Sequence, residues 1–567
     1  MSATTTETST LSSKWPQALD LAGSNQPCRL EGAIADLPVL GTIPPEINGT
    51  FYRVMCDPFV PPHPDNVPID GDGSVSAFRV RAGRVDMRMA YVETERYLLE
   101  RRRGEALFGL YRNPFTHHPC VRAAVDSTAN TNLVLWAGEL LALKEVALPY
   151  SLDPDTLGTR GYDPFGAREG AVKAKTFTAH PRVDPEKKEL VVFGYEAKGL
   201  ATKDVVVYAL DQAGDVVKDS VVWLESPWCA PIHDCAITDN WVILVLWPFE
   251  TDVERMKRGK QHWAWSYDRP ATFIVVPRRV GGKMPPGWAK GETRTYHWRN
   301  CMPIHTGGAW EEVEQDGSTR LFFESSRVHD NAFPFFPPTD GRMPAADAKA
   351  DFVRWELDLS KPTNTQVPDP QIILDMPSEF PRIDERFMAK KLKIFWADVF
   401  LPERSDGGKN IFHGLNALAM HNHETGKTRF FYAGDESLIQ EPIFIPRSDD
   451  AAEGDGWIMA MVERRKENRN DLVIIDTREF EKAVAIVQLP LHVKAQIHGN
   501  WVDAKELGEW KSLVQQIPEV ADPFSKEVLR LRAEYERRHV ATNLYPPGGR
   551  SLLELDLQRG EESYMTY

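Results

Sequence analysis

Fifteen histidines and six cysteines are the residues of this 567-residue chain best suited to hold a metal or attack a substrate. The cysteines are Cys28, Cys56, Cys120, Cys229, Cys235 and Cys301. They form no C-x-x-C pair, which argues against a zinc site or a dithiol redox pair, and six in a chain this long do not suggest a disulfide scaffold. The histidines form no tight motif such as H-E-x-x-H. His421 and His423 lie in a stretch that reads as a turn at a hairpin tip, and His117-His118 lies in a polar, Pro-flanked stretch. Spacing alone identifies no site. The neighbourhoods are more distinctive: Thr178-Ala179-His180-Pro181-Arg182, Pro231-Ile232-His233-Asp234-Cys235, His305-Thr306-Gly307-Gly308-Ala309-Trp310-Glu311 and Ile497-His498-Gly499-Asn500-Trp501. Three acidic segments accompany them: Lys144-Glu145, Glu379-Phe380-Pro381-Arg382 and Glu441-Pro442-Ile443-Phe444.

Side chains this far apart in sequence must be brought together by the fold. Short β-rich runs recur throughout: Glu189–Tyr195, Asp204–Leu210, Trp241–Trp247, Ala271–Val276, Arg320–Glu324, Arg429–Tyr432, Trp457–Val462 and Asp471–Ile475. Turn formers lie between them, as in Asp211-Gln212-Ala213-Gly214-Asp215 and Glu424-Thr425-Gly426-Lys427. This is the pattern of an all-β protein built of hairpins. A chain this long without a Gly/Ser or Pro/Gly linker fits radial repetition, a β-propeller, better than several sandwiches. Residues 1–13 are expected to be disordered and 14–502 to form one β-propeller domain. Residues 503–567 read as a partly helical extension packed on it, with helix formers over Asp503–Gln515 and Ser525–Val540.

Bulk properties exclude several classes. A net charge of −15 argues against nucleic acid as a partner. The longest apolar run, near Trp241–Phe249, is far short of the ~20 residues of a spanning helix, so no stable membrane insertion is expected. The start of the chain is rich in Ser and Thr and lacks the apolar stretch of a secretory signal, so a cytoplasmic protein with free thiols is expected. Asn48-Gly49-Thr50 then reads as a turn rather than a glycosylation site. Composition leaves monomer and homodimer equally open.

From about Leu37 to Trp501, including Asp70-Gly71-Asp72-Gly73, the order of these motifs resembles the carotenoid cleavage oxygenase family. The resemblance implies a seven-bladed β-propeller with the metal on its axis and a helical and loop cap over one face. It implies iron(II), Fe(II), held by His180, His233, His305 and His498, with Glu145, Glu379 and Glu441 accepting hydrogen bonds from the ligand imidazoles. Neutral imidazole suits ferrous iron, and a carboxylate fixes the ring nitrogen that does not face the metal. Dioxygen is then the co-substrate. The chain departs from the family pattern at Gly308, where Asn is usual, so packing there should differ.

Within the family, Lys144, Tyr111 and the stretch Asn331-Ala332-Phe333-Pro334-Phe335-Phe336-Pro337 resemble the stilbene-cleaving branch. That branch implies that Tyr111 and Lys144 bind the 4′-hydroxyl of a small phenolic stilbene such as resveratrol or piceatannol, which is cleaved to two hydroxybenzaldehydes. A buried lysine has an easily lowered pKa and can favour the phenolate, whose electron release activates the alkene. Phe59 and Phe336 are expected to line the slot. Two other readings are apocarotenoid cleavage and a non-catalytic binding propeller.

Overall fold

The structure is a computed structural model that describes residues 13–16, 18–22, 25–145, 147–345, 348–402, 414–507 and 526–540. Residues 1–12, for which disorder is expected, lie outside the described residues, as does most of Asp503–Gln515. The chain divides into two units, Met1–Leu513 and Val514–Tyr567. In the second, the described element is the helix Lys526–Val540, which exposes Leu529, Leu531 and Tyr535. In the first, the last strand runs to Asp503 and a short helix, Ala504–Leu507, follows.

The first unit is a seven-bladed β-propeller whose sheets are antiparallel but for the short edge strand Thr365–Gln366, which pairs parallel with Arg294–His297. Blade 1 comprises Gly32–Ile34, three strands between Gly49 and Tyr91, and the returning strand Gln496–Asp503. Blades 2 to 6 follow in chain order, with inner strands Asn132–Trp136, Arg182–Asp184, Ile232–Ile237, Met302–Val313 and Ser378–Ile383. Blade 7 spans Ser437–Gln488, and its outer edge takes in Val39–Gly41. Two strand pairings therefore close the ring: Gly49–Cys56 with Gln496–Asp503, and Val39–Gly41 with Ala483–Gln488. A small extra hairpin, Phe249–Thr251 with Trp263–Trp265, projects from blade 4. The expected strands are all present: Glu189–Tyr195 and Asp204–Leu210 match in both bounds, and the expected Arg320–Glu324 extends to Thr319–Val328.

Blades are buried on both faces, which is why their strands are continuous apolar runs rather than alternating ones. Trp241–Leu246 is buried at every position between its neighbours. Apolar clusters fill the spaces between blades: Phe51, Phe78, Met459 and Ile474 between blades 1 and 7, and Leu141, Phe177, Val192 and Val206 between blades 2 and 3. The inner strands of adjacent blades lie against one another around the axis. The axis itself is left to polar side chains.

Candidate metal centre and adjoining cavity

Four inner strands break register at or beside a residue of the site. In blade 4, Ile232 pairs with Leu246 and Cys235 with Leu244, so His233 and Asp234 oppose a single residue. In blade 5, Ile304 and His305 oppose Ser326 alone. In blade 6, Phe380 and Pro381 oppose Ala397 alone, directly after Glu379. In blade 1, Ile497 and His498 oppose Val54 alone. A bulge of one extra residue bends the strand and re-aims its side chain. In blade 7 the inner edge is split into Ser437–Ile439 and Ile443–Pro446, and Glu441 sits in the gap. Phe380 has a left-handed φ of 51°, the strained point of its bulge.

These irregularities, with His180 in the segment just before the inner strand of blade 3, bring His180, His233, His305 and His498 together, with one nitrogen of each within 4.8 Å of the others. His233 Nε2 stands 3.2 Å from His180 Nε2 and 2.9 Å from His305 Nε2. His233 Nδ1 donates to Glu145, His305 Nδ1 to Glu379 and His498 Nδ1 to Glu441, the last at 3.0 Å. A proton fixed on Nδ1 leaves the lone pair on Nε2. Three lone pairs are thus aimed at one point, and His498 Nε2 is buried without a hydrogen-bond partner. Imidazoles ~2.1 Å from a shared ion and at right angles would place their nitrogens about 3 Å apart, as seen. The donor set fits a divalent metal bound by nitrogen, with carboxylates compensating its charge one bond further out.

The electrostatics agree. Burial and the three neighbouring histidines hold His180 well below its ordinary pKa, so it is a neutral donor. Burial pushes the three glutamates up, yet their histidine partners outweigh it and keep all three ionised, Glu441 at about 2. Ser326 and the Phe380 amide also donate to Glu379, and the Gly499 amide donates to Glu441 at 2.9 Å. Tyr195 donates to Glu145 at 2.8 Å.

A ring of polar contacts stitches the inner strands together. Asn132 donates to the Ala179 carbonyl at 2.9 Å, linking blade 2 to the His180 segment. Arg182 binds both oxygens of Asp234 at 2.7 Å and Thr306 Oγ1 at 2.6 Å, joining blades 3, 4 and 5. Arg382 binds Asn500 at 2.7 Å and Glu441 at 3.4 Å, joining blades 6, 1 and 7. Asn500 donates to the Leu133 carbonyl at 2.6 Å, returning to blade 2. These polar neighbours of the histidines and glutamates were visible in the motifs, but their role as inter-blade ties was not. Gly308 is explained as well: a Cβ there would overlap the buried side chain of Leu392.

A cavity of about 280 Å³ opens on the histidines. His233, His305 and His498 line it, whereas His180 faces a separate polar cavity of about 240 Å³ that also reaches His305 and His498. Tyr111, Lys144 and Phe336 line the first cavity, with Glu145 and Glu379. Sequence reasoning missed most of its aromatic wall: Trp247, Phe249, Trp263, Phe333 and Phe380. Phe249 and Trp263 stand on the extra hairpin, Phe380 on the bulge of blade 6, and Trp247 and Phe333 in connections between strands, so no single periodicity marks them. Phe59 is a correction, because it does not line this cavity. It packs edge-on against Tyr91 and Tyr97 at ring distances of 5.4 and 5.3 Å, beneath the guanidiniums of Arg29 and Arg101. Its backbone amide is tied to Asp72, which turns its ring away from the wall.

Lys144 and Tyr111 are each 5 % exposed, and the lysine nitrogen stands 5.2 Å from the tyrosine ring centre. Burial lowers the pKa of Lys144. Burial, then the Glu145 charge, raises that of Tyr111 well above the ordinary phenol value, so it remains an O–H donor. Phe336 packs on Tyr111 with ring centres 5.8 Å apart.

Residues 25–503 match the family model described as retinal pigment epithelial membrane protein, RPE65. The chain is 68 % identical over 510 residues to resveratrol cleavage oxygenase 1 of Botryotinia fuckeliana, covering 90 % of each. It is 40 % identical over 511 residues to resveratrol cleavage oxygenase 1 of Aspergillus fumigatus, covering 88 % of this chain and 99 % of that one. The crystal structure of Pseudomonas brassicacearum lignostilbene dioxygenase superposes with a TM-score of 0.79 at 36 % identity, over 86 % of this chain and 99 % of that one. With its propeller, four converging imidazoles and three supporting carboxylates, the chain belongs to the RPE65 family of carotenoid oxygenases.

Proposed function

We propose that the chain is a cytosolic iron(II)-dependent dioxygenase that cleaves the central double bond of 4′-hydroxystilbenes such as resveratrol and piceatannol to two hydroxybenzaldehydes. The observation that carries this reading is the pairing of Lys144 with Tyr111 in a largely apolar, aromatic-walled cavity that ends on the histidine cluster. Its volume sits at or just below the low end of ligand pockets, roughly 300–1,000 Å³, which suits a flat two-ring molecule better than a long carotenoid. Likeness to resveratrol-cleaving and lignostilbene-cleaving relatives supports the same substrate class.

Iron(II), when held by the four imidazoles, supplies the centre at which dioxygen is activated. The chain's own residues do the rest. Trp247, Phe249, Phe333 and Phe336 stack the flat substrate and exclude water. Tyr111 donates its O–H to the substrate's phenolic oxygen. Lys144, whose burial favours the neutral amine, takes the phenolic proton on Nζ. The phenolate then releases electron density through the ring to the alkene. General-base assistance of this kind is worth about 10²–10⁴-fold. Lys144→Met should therefore lose at least about 10²-fold in turnover while its iron content stays that of the wild type. Full turnover in that variant would rule out phenolate activation.

A further inference from the structure

The nitrogen of Lys144 is held from behind. Nζ donates to the Ile69 carbonyl at 3.2 Å and to Asn130 Oδ1 at 3.0 Å. Asn130 is 1 % exposed. Its Nδ2 donates to the Ile69 carbonyl at 3.1 Å and to the Gly71 carbonyl at 2.7 Å. Two carbonyl oxygens can be met only by the NH₂ end of the amide, so the end facing Lys144 must be the oxygen. Thr131 Oγ1 donates to the same oxygen at 3.0 Å.

Both carbonyls belong to the loop carrying Asp70-Gly71-Asp72-Gly73, a motif the iron site does not use. The loop is fixed on several sides. Arg96 bridges to Asp70 at 3.0 Å, and Asp72 accepts the Phe59 amide at 2.9 Å. A Cβ on Gly73 would collide with the Ala129 carbonyl, immediately before Asn130.

We propose that Asn130, together with the Ile69 carbonyl, is the positioning residue of the phenol-binding lysine: it occupies one of the hydrogen-bonding directions of Nζ, the carbonyl another, and the direction left over faces the cavity and meets the substrate hydroxyl. This rests on the hydroxystilbene reading above. In the neutral amine both N–H bonds are committed to acceptors, and the lone pair is what the cavity receives. The phenolic O–H bond breaks, its proton moves to Nζ, and the electron pair stays on the phenolate oxygen. The ammonium so formed has three N–H bonds for three acceptors: Ile69, Asn130 and the phenolate.

The neutrality of Asn130 matters as much as its place. Asp70, Cys56 and Glu145 act on Lys144 to raise its pKa, Arg96 acts to lower it, and the Tyr111 ring lies over it. A carboxylate in hydrogen-bond contact at position 130 would hold the ammonium and remove the base.

The test uses full-length, iron-loaded enzyme with resveratrol as the probe. In Asn130→Asp the acid limb of kcat/KM should move up by about one pH unit, because an adjacent anion favours the charged lysine. In Asn130→Ala it should move down, since an acceptor of the ammonium is lost, and kcat/KM at its optimum should fall about tenfold. A residue that only supports packing would move both limbs alike or neither. Anaerobic binding of resveratrol, followed by the red shift of the phenolate, gives a readout free of turnover, and its midpoint should move in the same two directions. Midpoints that stay put, or move together, overturn the proposal. If Asn130→Asp does not fold, Asn130→Ala decides alone, and an unmoved midpoint there overturns it. A wild-type enzyme that neither binds nor ionises resveratrol overturns the hydroxystilbene reading instead.

Discussion

A histidine binds metal with whichever nitrogen its other hydrogen bond leaves bare. Here Glu145, Glu379 and Glu441 make that choice for three of the four ligands. The carboxylates supply negative charge from behind the imidazoles, so a metal held there would meet neutral nitrogen donors. Glutamine at position 379 could still accept a hydrogen bond but would carry no charge. Glu379→Gln should weaken metal affinity roughly 10–100-fold, measured by competition with a chelator. An unchanged affinity would show that the carboxylate is only a spacer. Much of this was legible in the sequence, because histidines and glutamates stand in distinctive motifs. Asn130 was not, since a lone buried amide has no motif of its own. Phe59 was misplaced for a related reason: an aromatic side chain signals burial, not which cavity it borders.

At the level of elements, the inner strands serve two ends that conflict. Regular pairing holds the blade, but a regular strand alternates its side chains and cannot aim at the axis freely. The bulges at His233, His305, Glu379 and His498 resolve the conflict locally. The strands were readable as apolar runs such as Trp241–Leu246. The bulges were not, because register depends on the partner strand. The ties between inner strands then hold the bent segments in place. Arg182→Met would strand Asp234, which is 1 % exposed, without its cation. Removing one partner of a buried pair costs roughly 3–5 kcal/mol. A large drop in melting temperature with loss of iron is the expected outcome, and a melting temperature within a degree of wild type would contradict it.

For the molecule as a whole, pairings contributed by segments near both ends of the propeller close the ring, and the fourth histidine rides on one of them. A metal held by the four histidines would therefore be coupled to ring closure through Gln496–Asp503. Among the described residues, no helix is long and apolar enough to cross a membrane. The four histidines, the three glutamates and the residues lining the cavity all lie in the unit Met1–Leu513. A chain ending at Leu513 should keep its iron and its turnover, read by metal analysis and by loss of resveratrol absorbance. Loss of either would assign the remaining segment a part in the site. The central claim is oxygenative scission of a hydroxystilbene, and labelled dioxygen tests it most directly. Purified enzyme is given resveratrol under ¹⁸O₂, and products are identified by mass at early times, before aldehydes exchange with water. Two hydroxybenzaldehydes, each carrying one labelled oxygen, are expected. Intact resveratrol, or aldehydes whose oxygen comes from water, would contradict the account.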